Sequence, residues 1–130
     1  MQTKTLCGIA ALFIAISVAA GAWGSHALTQ NAPLYLQTVW HTAADYQIKQ
    51  ALGLLALAAV QGFLSPRLGR LAAPVIIIGS ALFSFSLYLL VLTGTPWLGY
   101  VTPIGGTLMV AGWLLVFAAA FMPKRFIKNP

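Results

Sequence analysis

"LAAPVIIIGSALFSFSLYLLVLT", residues 71–93, runs without a single charged side chain. A helix needs about 20 mainly apolar residues to cross the hydrocarbon core of a bilayer, so this stretch reads as a membrane span. Pro74 falls near its start, where a missing N–H matters least, and Gly94 and Pro96 end it. Three other stretches share this character. The first covers about 6–28 and closes with "GAWGSHAL", residues 21–28. It is long for a secretory signal, so it is read as a span. The second, about 42–64, opens at "TAADYQ" and stops before "SPRLGR", where Pro66 disfavours helix at Ser65. The last, about 102–122, starts with Thr102 as N-cap and Pro103 at the first helical position, and stops at Pro123.

Composition supports the same reading. Of 130 residues, 60% are hydrophobic and only 6% charged, with a mean hydropathy of +0.90. Soluble domains carry about 25% charged residues; this chain has too little polar surface to cover a globule in water. The expected fold is therefore an all-α membrane protein: one domain, residues 1–130, forming a compact four-helix transmembrane bundle in the lipid bilayer. The net charge of +6 comes from seven basic residues against one acid, Asp45. The basic groups form no face and no aromatic-interleaved patch, so no nucleic-acid partner is expected. Cys7 is the only cysteine, which excludes an intramolecular disulfide.

Charge also orients the chain. Lys4, Arg67, Arg70, Lys124, Arg125 and Lys128 fall at the N-terminus, between spans 2 and 3, and at the C-terminus. Four crossings place all three regions on one side, while the other side holds only Asp45 and Lys49, which cancel. By the positive-inside rule, N-terminus and C-terminus are both cytoplasmic. Trp23, Tyr35, Trp40, Trp97 and Tyr100 would form an aromatic belt at the opposite face.

Without a hydrophobic drive between helices in lipid, small residues mark the contacts. Gly8, Ala11, Ala15, Ala19 and Ala22 line one face of span 1, and the stripe continues to His26. This face is expected to point inward. Ser17, Gly21 and Gly24 form a second small face. Ser80 and Ser84 on span 3, and Gly105, Met109 and Gly112 on span 4, offer further contacts. The bundle is expected to be left-handed, with antiparallel neighbours.

"WHTAADYQIKQALGLL", residues 40–55, carries most of the polar chemistry. Thr42 and Asp45 have capping-box spacing and would start helix 2, with His41 just outside it. Lys49 lies four residues beyond Asp45, in the favourable order for a helical ion pair, and would snorkel to the headgroups. His26, His41, Asp45, Tyr46, Lys49 and Gln50 thus form a candidate polar cluster at the outer end of the bundle. Gln61, Ser80, Ser84 and Tyr88 form a candidate inner seam, with Gly21, Gly24, Gly105 and Gly112 as packing positions. A zinc site wants three or four firm ligands at standard spacing; two histidines and one acid fall short. No phosphate loop, serine-nucleophile motif or HExxH is present, and one carboxylate precludes paired-acid chemistry within a chain. No catalytic residue, metal or cofactor is expected.

"GAWGSHAL", "TAADYQ", "FSFSLYLLVLTG" and "TPIGG", in this order across nearly the whole chain, resemble the YgdD or transmembrane protein 256 family, domain of unknown function 423. The resemblance implies a four-helix protein of the bacterial inner membrane, multi-pass, and supplies no reaction. Its pattern has a histidine where this chain has Gln50, and a glycine between the span 3 serines where this chain has Phe85. Gln50 can hydrogen-bond but cannot carry a proton charge. His26 belongs to the family pattern "GAxGxHA" and is expected to hydrogen-bond the start of helix 2 through Asp45, Tyr46 or Gln50.

The expected role is accessory, scaffolding or assembly through helix–helix contacts, with a homo-oligomer or a larger membrane protein as partner. The first alternative is a subunit of a small-solute or ion permeation pathway along the polar seam of span 2. The second is a metal-binding membrane protein, or a membrane enzyme, using His26, His41 and Asp45.

Overall fold

The computed structural model describes residues 1–28 and 32–123. Lys124, Arg125 and Lys128, half of the basic residues used to orient the chain, lie outside the described residues. Helix α1, Thr3–Trp23, continues into a π-helical turn, Gly24–Leu28. Helix α2 covers Leu34–Val60 and passes through a 3-10 turn, Gln61–Phe63, to α3, Pro66–Thr93. A second 3-10 turn, Pro96–Tyr100, leads to α4, Thr102–Phe121. The described residues hold no strand, and the expected all-α bundle is what forms.

Helix ends differ from the sequence reading in instructive ways. Helix α2 starts eight residues before Thr42, on Pro33, whose carbonyl accepts from the Leu36 and Gln37 amides. The Gln37 amide group donates to the Ala32 carbonyl at 2.8 Å. No proline or glycine interrupts Leu34–His41, so the helix has no reason to wait for the capping-box spacing. Thr42 and Asp45 therefore lie inside a helix, as does His41. Helix α3 starts at Pro66, with Arg67 and Arg70 in its opening turns and Pro74 in its interior. It ends on Gly94, whose positive φ of 64° suits a residue without Cβ. Thr102 is the first residue of α4 and not its cap; its hydroxyl meets that of Ser86 on α3 at 2.7 Å.

Among the described residues, three segments are long and apolar enough to cross a membrane: Thr3–Leu28, Pro66–Thr93 and Pro96–Phe121. Helix α2, at 27 residues, has the length but not the composition, because Asp45, Gln47, Lys49 and Gln50 occupy its middle. Its polar residues are sorted by face. Ala43, Ala44, Gln47, Ala51, Leu54, Leu57 and Ala58 are buried, while Asp45 and Lys49 are exposed.

The closest-packed pair is α3 with α4, followed by α1 with α2 and α2 with α3. One core cluster joins Leu6, Ala10, Leu54, Leu57, Ala73, Ile76 and Ala119. The Ser65 amide donates to the Ala119 carbonyl at 3.1 Å and ties the α2–α3 connection to the end of α4. Helix α1 buries Leu6, Ala10, Phe13 and Ser17, and then Gly24 beyond it. The stripe Gly8, Ala11, Ala15, Ala19 and Ala22, expected inside, is exposed. The opposite face wins because it carries Phe13, which meets Phe85 edge-on at 6.0 Å, and Gly24, which makes room for Trp40. Trp40 is likewise a core residue, 6% exposed, and not part of a belt; Trp23, Tyr35, Trp97 and Tyr100 are exposed.

Candidate functional site

Gln47 is the centre of the polar interior. It is fully buried, with Ala43 and Ala51 one turn away on either side, and these small side chains let α3 come close. Its Oε1 accepts from the Tyr88 hydroxyl at 2.6 Å, a bond between α2 and α3. One turn along, the Ser84 hydroxyl donates to the Ala43 carbonyl at 2.9 Å. Ser80 is buried one turn before Ser84 on α3. The Gln47 Nε2 and Ser80 Oγ atoms are both buried and have no partner.

Aromatic rings extend this centre toward the π turn. The Tyr88 and Trp40 rings pack at a tilt of 54° with centroids 4.7 Å apart, and Trp40 and Trp23 at the same tilt with centroids 4.9 Å apart. The Trp40 indole N–H donates to the Ala20 carbonyl at 2.6 Å. A Cβ on Gly24 would stand 2.6 Å from that same indole nitrogen, so the ring requires glycine there. On the other side, the Trp113 indole N–H donates to Gln50 Oε1. Trp113 also fills the space over Gly53. Between α2 and α4 lies a groove of about 960 Å³, lined among others by Tyr46, Gln50, Phe83, Pro103, Met109 and Trp113.

The candidate residues therefore divide into separate places. Ser84 and Tyr88 share the α2–α3 interface with Gln47, and Ser80 is buried on α3. Gln50 faces α4. Gln61, expected on the same seam, sits at the far end of the bundle, where its amide donates to the Thr3 hydroxyl at 2.8 Å and to the Met1 carbonyl. His26 is exposed on the π turn, two residues past Gly24, which meets Trp40. The early start of α2 puts Asp45 about 16 Å beyond Leu34 along the axis, so Asp45, Tyr46 and Gln50 lie deeper than His26 and the expected clasp does not form. His41, half-buried, stands instead beside Gly24. The Lys49 ammonium lies over the Tyr46 ring at 5.6 Å and does not pair with Asp45. Among the described residues, no three histidine, cysteine, aspartate or glutamate side chains come together. A Cβ on Gly105 or Gly112 would run into α3, whereas one on Gly21 would meet nothing within 4 Å.

Two residues escaped the sequence reading. Gln47 was visible as the one polar member of the small stripe Ala43, Gln47, Ala51, at strict four-residue spacing. Gly79 packs against the α4 backbone at Gly105 and Met109; only its place four residues after Val75 and next to Ser80 hinted at a contact.

Comparison with known proteins bears out the resemblance. The family DUF423, described as a protein of unknown function, matches residues 20–106. A UPF0382 membrane protein of Staphylococcus haemolyticus is 37% identical over 113 residues, 87% of this chain and 92% of its own. One from Staphylococcus saprophyticus is 35% identical over 118 residues, 91% and 98% of the two chains. The UPF0382 membrane protein YwdK of Bacillus subtilis is 36% identical over 123 residues, 90% and 96% of the two chains. These names state a membrane location and no reaction. No solved structure matches the chain.

Proposed function

We propose that this chain, which belongs to the DUF423 family of proteins of unknown function, acts in the membrane as an accessory or assembly component through helix–helix contacts. One observation carries this reading: three interior polar side chains of α2 and α3 are engaged in joining helices. Gln47 with Tyr88, Ser84 with Ala43, and Gln50 with Trp113 each bridge two helices. Groups engaged in this way stabilise a rigid scaffold and are not poised around a common reacting atom. In the same reading α2 is the fourth span, the Oε1 atoms of Gln47 and Gln50 each bonded to a neighbouring helix. Both termini then face the cytoplasm, as Lys4, Arg67 and Arg70 favour.

The test is native mass spectrometry of the protein released gently from its own membrane, with metals measured on the same sample. A defined complex larger than one chain is the expected result. A bare monomer refutes the assembly role, and a stoichiometric metal directs attention to His41 and Asp45.

A permeation role has one observation in its favour, the unpartnered Gln47 Nε2 and Ser80 Oγ in the interior. Ion or solute flux through proteoliposomes that is abolished by Gln47→Leu would establish it over the assembly reading.

A further inference from the structure

The outer face of α2 carries what no lipid-facing helix should. Thr38, Thr42, Asp45, Lys49, Leu52 and Ala56 recur at alternating spacings of four and three, the 3.5-residue period of a coiled-coil seam. All are exposed except Thr42, which is partly so, and together they lie opposite the buried Gln47 face. Lys49 sits about 22 Å from Leu34 and about 16 Å from Val60 along the helix axis at 1.5 Å per residue. Asp45 is one turn away. Both charges thus stand near mid-depth of a membrane-spanning α2, too far in for either to reach a headgroup region without bending the bilayer.

Neighbouring helices of the same chain do not relieve this. Helices α1 and α3 pack on the buried side of α2 and α4 along its Gln50–Gly53 flank, and among the described residues the Lys49 ammonium meets only a ring on its own helix. The exposed stripe of α1, Gly8 to Ala22, is different in kind: its small apolar side chains can face lipid at no cost.

We propose that α2 pairs with α2 of a second copy of this chain along the Thr38–Ala56 seam, about a two-fold axis parallel to the membrane normal. The argument is charge complementarity. Such an axis makes the interface isologous, and it sets Asp45 of each copy one turn from Lys49 of the other. Two ion pairs then form across the seam and shield both charges from hydrocarbon. Thr38, Thr42 and Ala56 are small enough to let the helices approach. The proposal names the partner in the assembly reading above and rests on α2 being a span.

The experiment uses the full chain in native membranes, with Cys7→Ser as background. Leu52→Cys and Thr38→Cys place single thiols on the seam, and Ala15→Cys places one on the exposed face of α1. A short bismaleimide should give a dimer band with the two seam variants and none with Ala15→Cys. In the Leu52→Cys background, Asp45→Lys and Lys49→Asp should each lower dimer yield about tenfold, since each leaves four like charges on the seam in place of two of each sign. The double exchange, which keeps the charge total, should restore it. Leu52→Cys alone alters no charge, so its result stands even where a single reversal prevents folding.

Cross-linking through Ala15→Cys in place of Leu52→Cys overturns the seam and leaves assembly intact. So does a complex with other proteins that holds one copy of this chain. A monomer accompanied only by lipid overturns both. Reversals that leave the yield unchanged, or a double exchange that fails to restore it, overturn the charge pairing.

Discussion

Replacing Gly79 by alanine tests whether the contact of α3 with α4 sets the stability of the bundle. A Cβ at that position would stand 2.7 Å from the Met109 nitrogen, 2.8 Å from the Gly105 carbonyl oxygen and 2.9 Å from Leu108 Cβ. Two of these atoms are backbone and the third is fixed to it, so no side chain can turn aside. Ordinary contact requires α4 to retreat by about 0.7 Å, and a gap of this order forfeits about a quarter to a half of each dispersion contact. In lipid there is no hydrophobic term between helices to compensate. Overpacking of this type costs about 1–3 kcal/mol, against about 0.5–1 kcal/mol gained in helix propensity. The net expectation is a loss of about 1–2 kcal/mol for Gly79→Ala. Gly21→Ala is the control: its Cβ meets nothing within 4 Å, so it should gain about 0.5–1 kcal/mol from propensity alone. Unfolding from mixed micelles by sodium dodecyl sulfate, followed by tryptophan fluorescence, measures both. Gly79→Ala as stable as Gly21→Ala would refute the reasoning.

The remaining predictions concern the hydrogen bonds between helices. Tyr88→Phe removes the donor to Gln47 Oε1 and leaves a fully buried amide without a partner, which should cost about 1–2 kcal/mol. Adding Gln47→Leu should recover most of that loss, and a double-mutant cycle with no coupling would contradict the pair. Trp40→Phe keeps the ring stack but deletes the bond to the Ala20 carbonyl; a destabilisation of about 1 kcal/mol is expected in the same titration. Gly53→Ala would put a Cβ 2.7 Å from the Trp113 ring, which can swing away because it is a side chain. In a protein retaining Trp113 as its only tryptophan, the fluorescence of this variant should become more sensitive to brominated lipid. Unchanged quenching would show that Trp113 does not seal the α2–α4 contact.

Much of the fold was legible because a bilayer imposes one severe demand: backbone groups must be satisfied within each crossing segment. Long uncharged runs such as 71–93 could only be helices. Length, helix count and membrane location followed from composition and from punctuation by Pro66, Gly94, Pro96 and Pro123. Helix starts were less legible. The Thr42–Asp45 spacing looked like a beginning, yet Leu34–His41 contains nothing that stops a helix, and Pro33 supplies a start that a search for polar caps passes over.

Which face of each helix points inward was settled only by tertiary packing. On α1 the small stripe Gly8 to Ala22 and the face holding Phe13 and Gly24 were both plausible contacts, since lipid penalises neither when exposed. The choice fell to shape: Trp40 needs the room Gly24 leaves, and Phe13 meets Phe85. On α2, Asp45, Gln47, Lys49 and Gln50 lie within six residues and are all polar, yet Gln47 is wholly buried and the two charges are turned outward. By itself the sequence determined that this chain is a helical membrane protein, because apolar length and solvent physics suffice for that. The tertiary structure decided which polar groups meet, because that depends on the register between helices, and register is set by side-chain shapes that meet only after the chain has folded.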